Sequence, residues 1–311
     1  MRDRALTTSY TDTDAAPVLL MAPPIIAADA VQAIEVVGAR LLDHIDWAEG
    51  AGALGRYAVR PLVMIETEGV PDATLDRDLP LLATWSDARD LPVVVALAEE
   101  QIDRVSAHLL GPRVQLLCGA SLSDRIVALT IGVETLHGAI LHDSWRESDS
   151  VRLRRLHEEV ARIAGKLIDL ARPDREVDGD IRDRRGGYDP GPGDSDAIAA
   201  SDVRRAIRSR RLRDQFLGEG LFEDPAWDML LDLYAAELEG TRVSVSSLCI
   251  ASAVAPTTAL RWIARLTESG LLVRQPDPDD RRRAFMALSP QTSDALGAYM
   301  VALKRMDLQI A

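Results

Sequence analysis

Five short runs rich in Val, Ile and Leu constrain this chain more than any other feature. They are VLLMA (18–22), RLLDHI (40–45), PLVMIE (61–66), PVVVALA (92–98) and VQLLCGA (114–120). Each is continuous rather than alternating, the pattern of a strand covered on both faces. Between them lie helix-like stretches such as AADAVQAIEVVG and EEQIDRVSAHLL. Strands that alternate with helices make a parallel sheet wrapped by those helices. Residues 17–132 therefore read as a doubly wound α/β domain.

One stretch inside it imitates a cofactor motif. EGAGALGR places Gly50, Gly52 and Gly55 at G-x-G-x-x-G spacing. A dinucleotide fingerprint needs a full helix after the glycines, so that the pyrophosphate meets a helix N-terminus. The next strand begins at Pro61, which leaves no room for that helix. No cofactor is expected.

Charge divides the chain where hydropathy does not. The formal net charge is −13, yet from 201 to 311 there are 15 Lys plus Arg against 15 Asp plus Glu, so residues 1–200 hold the whole excess. The local field, and not the total, decides what a surface attracts. Two differently charged parts are implied. Cys118 and Cys249 are far apart in sequence and have no second Cys or nearby His at metal-ligand spacing, which points to a reduced, cytoplasmic setting without a metal. No apolar run approaches the roughly 20 residues needed to cross a bilayer. The opening MRDRALTTSYTDTDAAP lacks a signal-peptide core, and 1–16 reads as a disordered tail.

Beyond the last strand, 133–172 reads as a helical connector. Leu153, Leu156, Val160, Ile163, Leu167 and Leu170 are spaced 3, 4, 3, 4, 3, the stripe of a two-stranded coiled coil, and are expected to support dimerisation. Packing of that helix on its own domain is the alternative. His137 and His142, five residues apart, point to different helix faces and do not form a metal site. Pro173 ends the helix. The segment 173–200 is dense in Gly, Pro and Asp, buries too little to offset its ordering entropy, and reads as a flexible linker.

From 201 to 311 the pattern is helical again, and then changes. DPAWDMLLDLYAAELEG has Pro225 at a first helical turn and Gly240 as a stop. SVSSLCIASAV and APTTALRWIARLTESG are two helices joined by a short turn, the sequence form of a helix-turn-helix. In the second, Leu260, Ile263 and Leu266 make a buried stripe, with Thr258, Arg261 and Arg265 on the opposite side. Arginines in a row on a helix can reach guanine edges bidentately, and threonine can contact a phosphate or a thymine methyl. Gly270 then breaks the helix. LLVRQ and RRAFMALS read as two strands with PDPDD turning between them, so that Arg281, Arg282 and Arg283 lie at the tip of a wing. The final helix repeats the 3–4–3 spacing in Leu296, Tyr299, Leu303 and Met306, as self-association or as core.

The run SSLCIASAVAPTTALRWIARLTESGLLVRQPDPDDRRRAFMALSPQ resembles the winged-helix domain of the MarR family of bacterial transcription regulators. The resemblance is carried by the L-x-x-x-G-L exit from the second helix, by Asp280 and Arg282 in the place of that family's wing-tip Asp and Arg, and by ALS closing the wing. It covers about 90 residues, from Pro225 to the final helix. It implies a cytoplasmic homodimer that binds double-stranded DNA through Thr257, Thr258, Arg261, Trp262, Arg265, Arg274, Arg281, Arg282 and Arg283, with Asp280 supporting the wing. It also implies dimerisation through the terminal helix.

The first domain, by the spacing of its five strands, resembles the receiver domain of bacterial response regulators, and PLVMIETEG resembles that family's third strand. Glu66 stands at the phosphoacceptor position. Ala22 and Pro23 stand where the family has paired acids, Ala96 or Ala98 where it has Ser or Thr, and CGAS where it has Lys. The resemblance implies a pseudo-receiver that cannot be phosphorylated.

The leading expectation is thus a sequence-specific regulator and not an enzyme: the sequence offers no nucleophile–base pairing, phosphate loop or metal constellation. Two alternatives remain open. A small-molecule effector could enter a pocket lined by Trp227, Tyr234 and Trp262, or the winged helix could serve as a protein-interaction module.

Overall fold

A computed structural model of the chain describes residues 15–141, 198–217, 223–280 and 282–305. Most of the expected tail, the heptad positions Leu153 to Leu170, the segment 173–197, Arg281 and Met306 lie outside the described residues. The described residues up to Leu136 and those from Ile198 onward belong to one compact unit.

The first part follows the order β1 (Pro17–Met21), α1 (Ala27–Val36), β2 (Arg40–Ile45), β3 (Leu62–Glu66), α2 (Asp72–Ala88), β4 (Val93–Leu97), α3 (Ile102–Ser106), β5 (Val114–Cys118) and α4 (Leu122–Leu141). The five strands are parallel, in the order β2-β1-β3-β4-β5. Successive side chains point to opposite faces. Val18, Leu20, Leu62, Met64, Val94 and Ala96 pack beneath α1 and α4, while Leu19, Met21, Val63, Ile65, Val93 and Val95 pack beneath α2 and α3. Burial on both faces is why these strands read as unbroken apolar runs. α4 lies close on the sheet: a Cβ on Gly132 would stand 2.7 Å from Leu62 Cδ1.

The stretch carrying Gly50, Gly52 and Gly55 forms a short 3-10 turn, Ala51–Arg56, that leads straight into β3. No crossover helix follows it. Gly50 itself takes φ +72°, a conformation that favours glycine.

The second part contains α5 (Ala200–Leu217), α6 (Pro225–Glu239), β6 (Val243–Ser244), α7 (Val245–Ala251), α8 (Pro256–Glu268), β7 (Leu272–Pro276), β8 (Ala284–Leu288) and α9 (Pro290–Arg305). The Asp224 carboxylate caps α6 by accepting from the Trp227 amide, and Gly240 ends the helix in the left-handed conformation. Ion pairs fasten α5 to α6: Arg204 with Asp232 and Glu239, and Arg210 with Asp228 at 3.2 Å. The three strands are antiparallel, in the order β6-β8-β7.

The two parts share one apolar core. Leu97, Ile102, Val105 and Leu116 belong to the same cluster as Leu248, Cys249, Leu260 and Leu272. The arrangement sets α3 and β5 against α7, α8 and β7, and this contact governs what the second part can present to a partner. Among the described residues no single helix is long and apolar enough to cross a membrane.

Candidate nucleic-acid interface

α7 and α8 meet at 110° across the turn 252–255, within the range of a helix-turn-helix. The Ser244 hydroxyl starts α7 by accepting from the Ser247 amide, and Ala253 turns the chain at φ +56°. Pro256 opens α8, where a missing N–H costs nothing. Ala259, Leu260, Ile263 and Leu266 are buried. Burying a leucine or isoleucine contributes roughly 1.5–3 kcal/mol, so this stripe fixes which face of α8 turns outward. That face carries Arg261 and Arg265, both exposed, with Thr258 partly so. The Arg265 guanidinium lies over the Trp262 ring, 5.1 Å from its centroid, and Trp262 in turn packs on the core.

β7 and β8 form the wing. Its tip is held by the Asp277 amide donating to the Arg283 carbonyl at 3.1 Å, the Arg283 amide to the Asp280 carbonyl at 3.0 Å, and the Arg282 amide to Asp280 Oδ1 at 3.0 Å. Arg282 Nε also stands 3.7 Å from Asp280 Oδ1. Arg282 and Arg283 are exposed.

Other residues singled out in the sequence are engaged with the first domain. The Cys118 amide donates to Thr257 Oγ1 at 3.0 Å, and that hydroxyl donates to the Cys118 carbonyl at 3.2 Å. Arg274 is half-buried and donates Nη1 to the Ser106 and Ala107 carbonyls, at 3.1 and 2.8 Å. These carbonyls close α3, where the orphan acceptors of a helix end attract a cation. Burial pulls the Arg274 guanidinium below its ordinary range, and Asp87 opposes this. Arg282 Nε lies 3.4 Å from Asp76 Oδ2, and Asp76 also accepts from Arg104 Nη1 at 2.6 Å.

Sequence reasoning passed over one contact residue here. Ser246 donates its amide and its hydroxyl to the two oxygens of Asp103, at 2.8 and 2.6 Å. The only signal for it was the serine run in SVSSL, which reads as a helix cap. Nearby, Ser121 bonds to Asp124, which holds that carboxyl below the usual range, and Arg125 and Arg261 add to the effect.

Glu66 is fully buried beneath α4. Arg125 donates Nε to Oε1 at 2.7 Å and Nη2 to Oε2 at 2.8 Å, and Trp47 Nε1 donates to the Glu66 carbonyl at 2.9 Å. Burial pushes the Glu66 carboxyl up against the pull of Arg125, while the bond to Glu66 holds the Arg125 proton more tightly. Among the described residues no cluster of three or more His, Cys, Asp or Glu is set to hold a metal.

Tyr234 belongs to the apolar core, and Trp227 and Trp262 pack against it. Trp227 packs edge-on against Tyr299, with centroids 5.4 Å apart, and Tyr234 is buried in the core. A cleft of about 440 Å³ lies instead between α6, β8 and the start of α9, lined by Leu233, Glu237, Thr241, Met286 and Asp294 among others.

No family model matches the chain, and no curated protein does. Among solved structures it is similar to MepR from S. aureus bound to ethidium bromide, at 18% identity over 34% of this chain and 72% of that one, with a TM-score of 0.25. It is similar to the transcriptional regulator Tm0710 from Thermotoga maritima, at 27% identity over 34% and 66%, with a TM-score of 0.23. A third is BpsR from Bordetella bronchiseptica, whose DNA binding is regulated by 6-hydroxynicotinic acid, at 23% identity over 39% and 80%, with a TM-score of 0.22.

Proposed function

We propose that this chain is a DNA-binding transcription regulator of the MarR type, working as a cytoplasmic homodimer and reading duplex sequence through α8. The observation that carries the reading is the row Arg261–Arg265, exposed on a helix held at 110° to its partner, beside a wing whose tip carries exposed Arg282 and Arg283. Arg261 and Arg265 would reach base edges in a major groove, with Thr258 and Trp262 beside them. Arg282 and Arg283, together with Arg281, would lie along the neighbouring minor groove or its phosphates. Thr257 and Arg274 would join them only after release from the first domain. One winged helix reads few base pairs, so two copies about 34 Å apart on successive major grooves are expected.

The first domain is proposed to be a receiver-type module that is not phosphorylated and serves assembly or regulation. Its strand order, 2-1-3-4-5, is one of the common doubly wound orders. Glu66 at the phosphoacceptor position already has its charge answered by Arg125. Trp47 donates to the Glu66 carbonyl and Arg125 to its carboxylate, which supports a position engaged within the domain rather than open to a phosphoryl group.

The test is duplex binding as a function of salt and sequence. If a dimer neutralises roughly eight phosphates, log K should fall with log[salt] at a slope near −7. Arg261→Ala with Arg265→Ala should relax base preference, whereas Arg282→Ala should weaken all sequences alike and shallow the slope by about one. Binding that ignores salt on every duplex tried rejects the proposal. A small-molecule effector is the second reading, favoured by the 440 Å³ cleft with Glu237 and Asp294 on its wall, which suits a cationic ligand.

A further inference from the structure

We infer that the acidic edge of the α/β domain, formed by α2, α3 and the end of β5, is a latch that occupies the DNA-contacting groups of the winged helix and must be displaced by duplex phosphates. The inference rests on the DNA-binding reading above and adds its regulation.

The contact is polar in a particular way. Asp103 receives an amide and a hydroxyl from Ser246, at 2.8 and 2.6 Å. Backbone amides and serine hydroxyls are among the groups that bind phosphate oxygens in protein–DNA complexes, and here two carboxylate oxygens take the place of two phosphate oxygens. Asp76 stands 3.4 Å from Arg282 at the wing tip. The Cys118 peptide group engages Thr257 through both its N–H and its carbonyl, which blocks the second residue of α8. Recognition helices address base edges with their N-terminal residues. Arg274, at the base of the wing, is drawn onto the Ser106 and Ala107 carbonyls.

Position and charge together make the contact competitive. Asp76, Asp103 and Asp124 lie along the flank of the interface, and Arg261 lies near enough to Asp124 to help lower its pKa. A duplex approaching α8 in this arrangement would set its phosphates against those carboxylates. Arg261, Arg265 and Arg283 stay exposed, so the closed state keeps enough positive surface for a first encounter. The segregation of charge along the chain gains a reason: the acidic part carries the competitor and the neutral part carries the arginines. Because the two parts also share apolar contacts, opening is a discrete step. A state that is only fractionally open weakens the apparent affinity by that fraction.

The test uses the full chain and a fluorescent mixed-sequence duplex at one fixed salt concentration. Asp76→Asn with Asp103→Asn should tighten binding roughly tenfold or more, since each change replaces a charge-assisted contact with a neutral one. Asp29→Asn with Glu35→Gln removes the same two charges from exposed positions on α1, over the opposite face of the sheet, and should change affinity only slightly. In parallel, amide hydrogen exchange at Cys118 should speed up when saturating duplex is added to the wild-type chain, a readout that does not depend on any variant folding well. Equal tightening by both double variants, or unchanged protection of the Cys118 amide in the DNA complex, overturns the latch while leaving DNA binding intact. If neither the wild-type chain nor the Asp76→Asn, Asp103→Asn form binds any duplex, the DNA-binding reading falls and takes the latch with it.

Discussion

The Arg125 guanidinium closes on both carboxylate oxygens of Glu66, at 2.7 and 2.8 Å, in a site where Glu66 has no solvent exposure. The pair ties α4 to the end of β3 and turns a position that could have presented charge into an internal, neutral unit.

Breaking that pair from one side should therefore be costly. Glu66→Ala leaves a buried guanidinium without its partner, and Arg125→Ala leaves a buried carboxylate; each is expected to lose about 3–5 kcal/mol of stability. Replacing both with apolar residues of similar volume should recover most of the loss. Urea titration of the two single variants and the double variant measures this as a coupling energy. Single variants that unfold at the wild-type midpoint would show that the pair contributes nothing.

A second stability test falls two turns further along the same face of α4. A Cβ at Gly132 would meet Leu62 Cδ1 at 2.7 Å and Cδ2 at 3.0 Å. Leu62 is fully buried, so it has little room to retreat. Gly132→Ala, normally favourable in a helix by about 1 kcal/mol, should here destabilise by about 1–3 kcal/mol through overpacking. Leu62→Ala in the same chain should relieve the clash, so that the two changes together cost less than their sum. A Gly132→Ala chain that melts higher than wild type would contradict the packing described.

These two sites mark how far the sequence could be read. The strands were legible because burial on both faces writes itself as unbroken Val, Ile and Leu, and the stripe Leu260–Ile263–Leu266 was legible because one face of α8 is buried. Glu66 was legible as a position and not as a pair, since Arg125 lies 59 residues away and nothing local links them. The docking of α3 and β5 on α7 and α8 was not legible at all. It joins residues about 140 apart, such as Cys118 with Thr257 and Asp103 with Ser246, through side chains that local patterns assign to caps, turns or solvent. Arg274 shows the consequence, because its place in the wing marked it for DNA whereas its guanidinium caps α3.

Thiol chemistry should report on the same interface. Burial pushes the Cys249 thiol up to about 12, with Cys118 and nearby acids adding to the effect. Cys118, only partly buried, is raised as well, first by desolvation and then by Glu99 and Glu100. A thiolate is the reactive form, so both should resist alkylation at neutral pH in the folded chain, Cys249 more than Cys118. Mass spectrometry of iodoacetamide adducts should show Cys118 labelled first, and DNA should speed its labelling if the latch opens. Faster labelling of Cys249 than of Cys118 would contradict the burial order.

The pH dependence of DNA binding follows from His108. Its ring is half-buried and its pKa is lowered from 6.5, chiefly by desolvation and then by Arg274 of β7, while Asp76 of α2 opposes the shift. In the open state, freed of the Arg274 charge, the ring should titrate higher than in the closed one, nearer its ordinary value. The closed arrangement thus holds His108 neutral, and its stability is complete above pH 6.5. As the pH falls through 6.5 towards the depressed value, the open state binds the proton better and the latch weakens. Duplex affinity at constant ionic strength should therefore rise between pH 7.5 and 5.5. His108→Asn, which keeps a polar side chain but cannot be protonated in this range, should flatten that rise while leaving the affinity at pH 7.5 near the wild-type value. A wild-type profile that is flat, or one that His108→Asn leaves unaltered, would remove His108 from control of the contact.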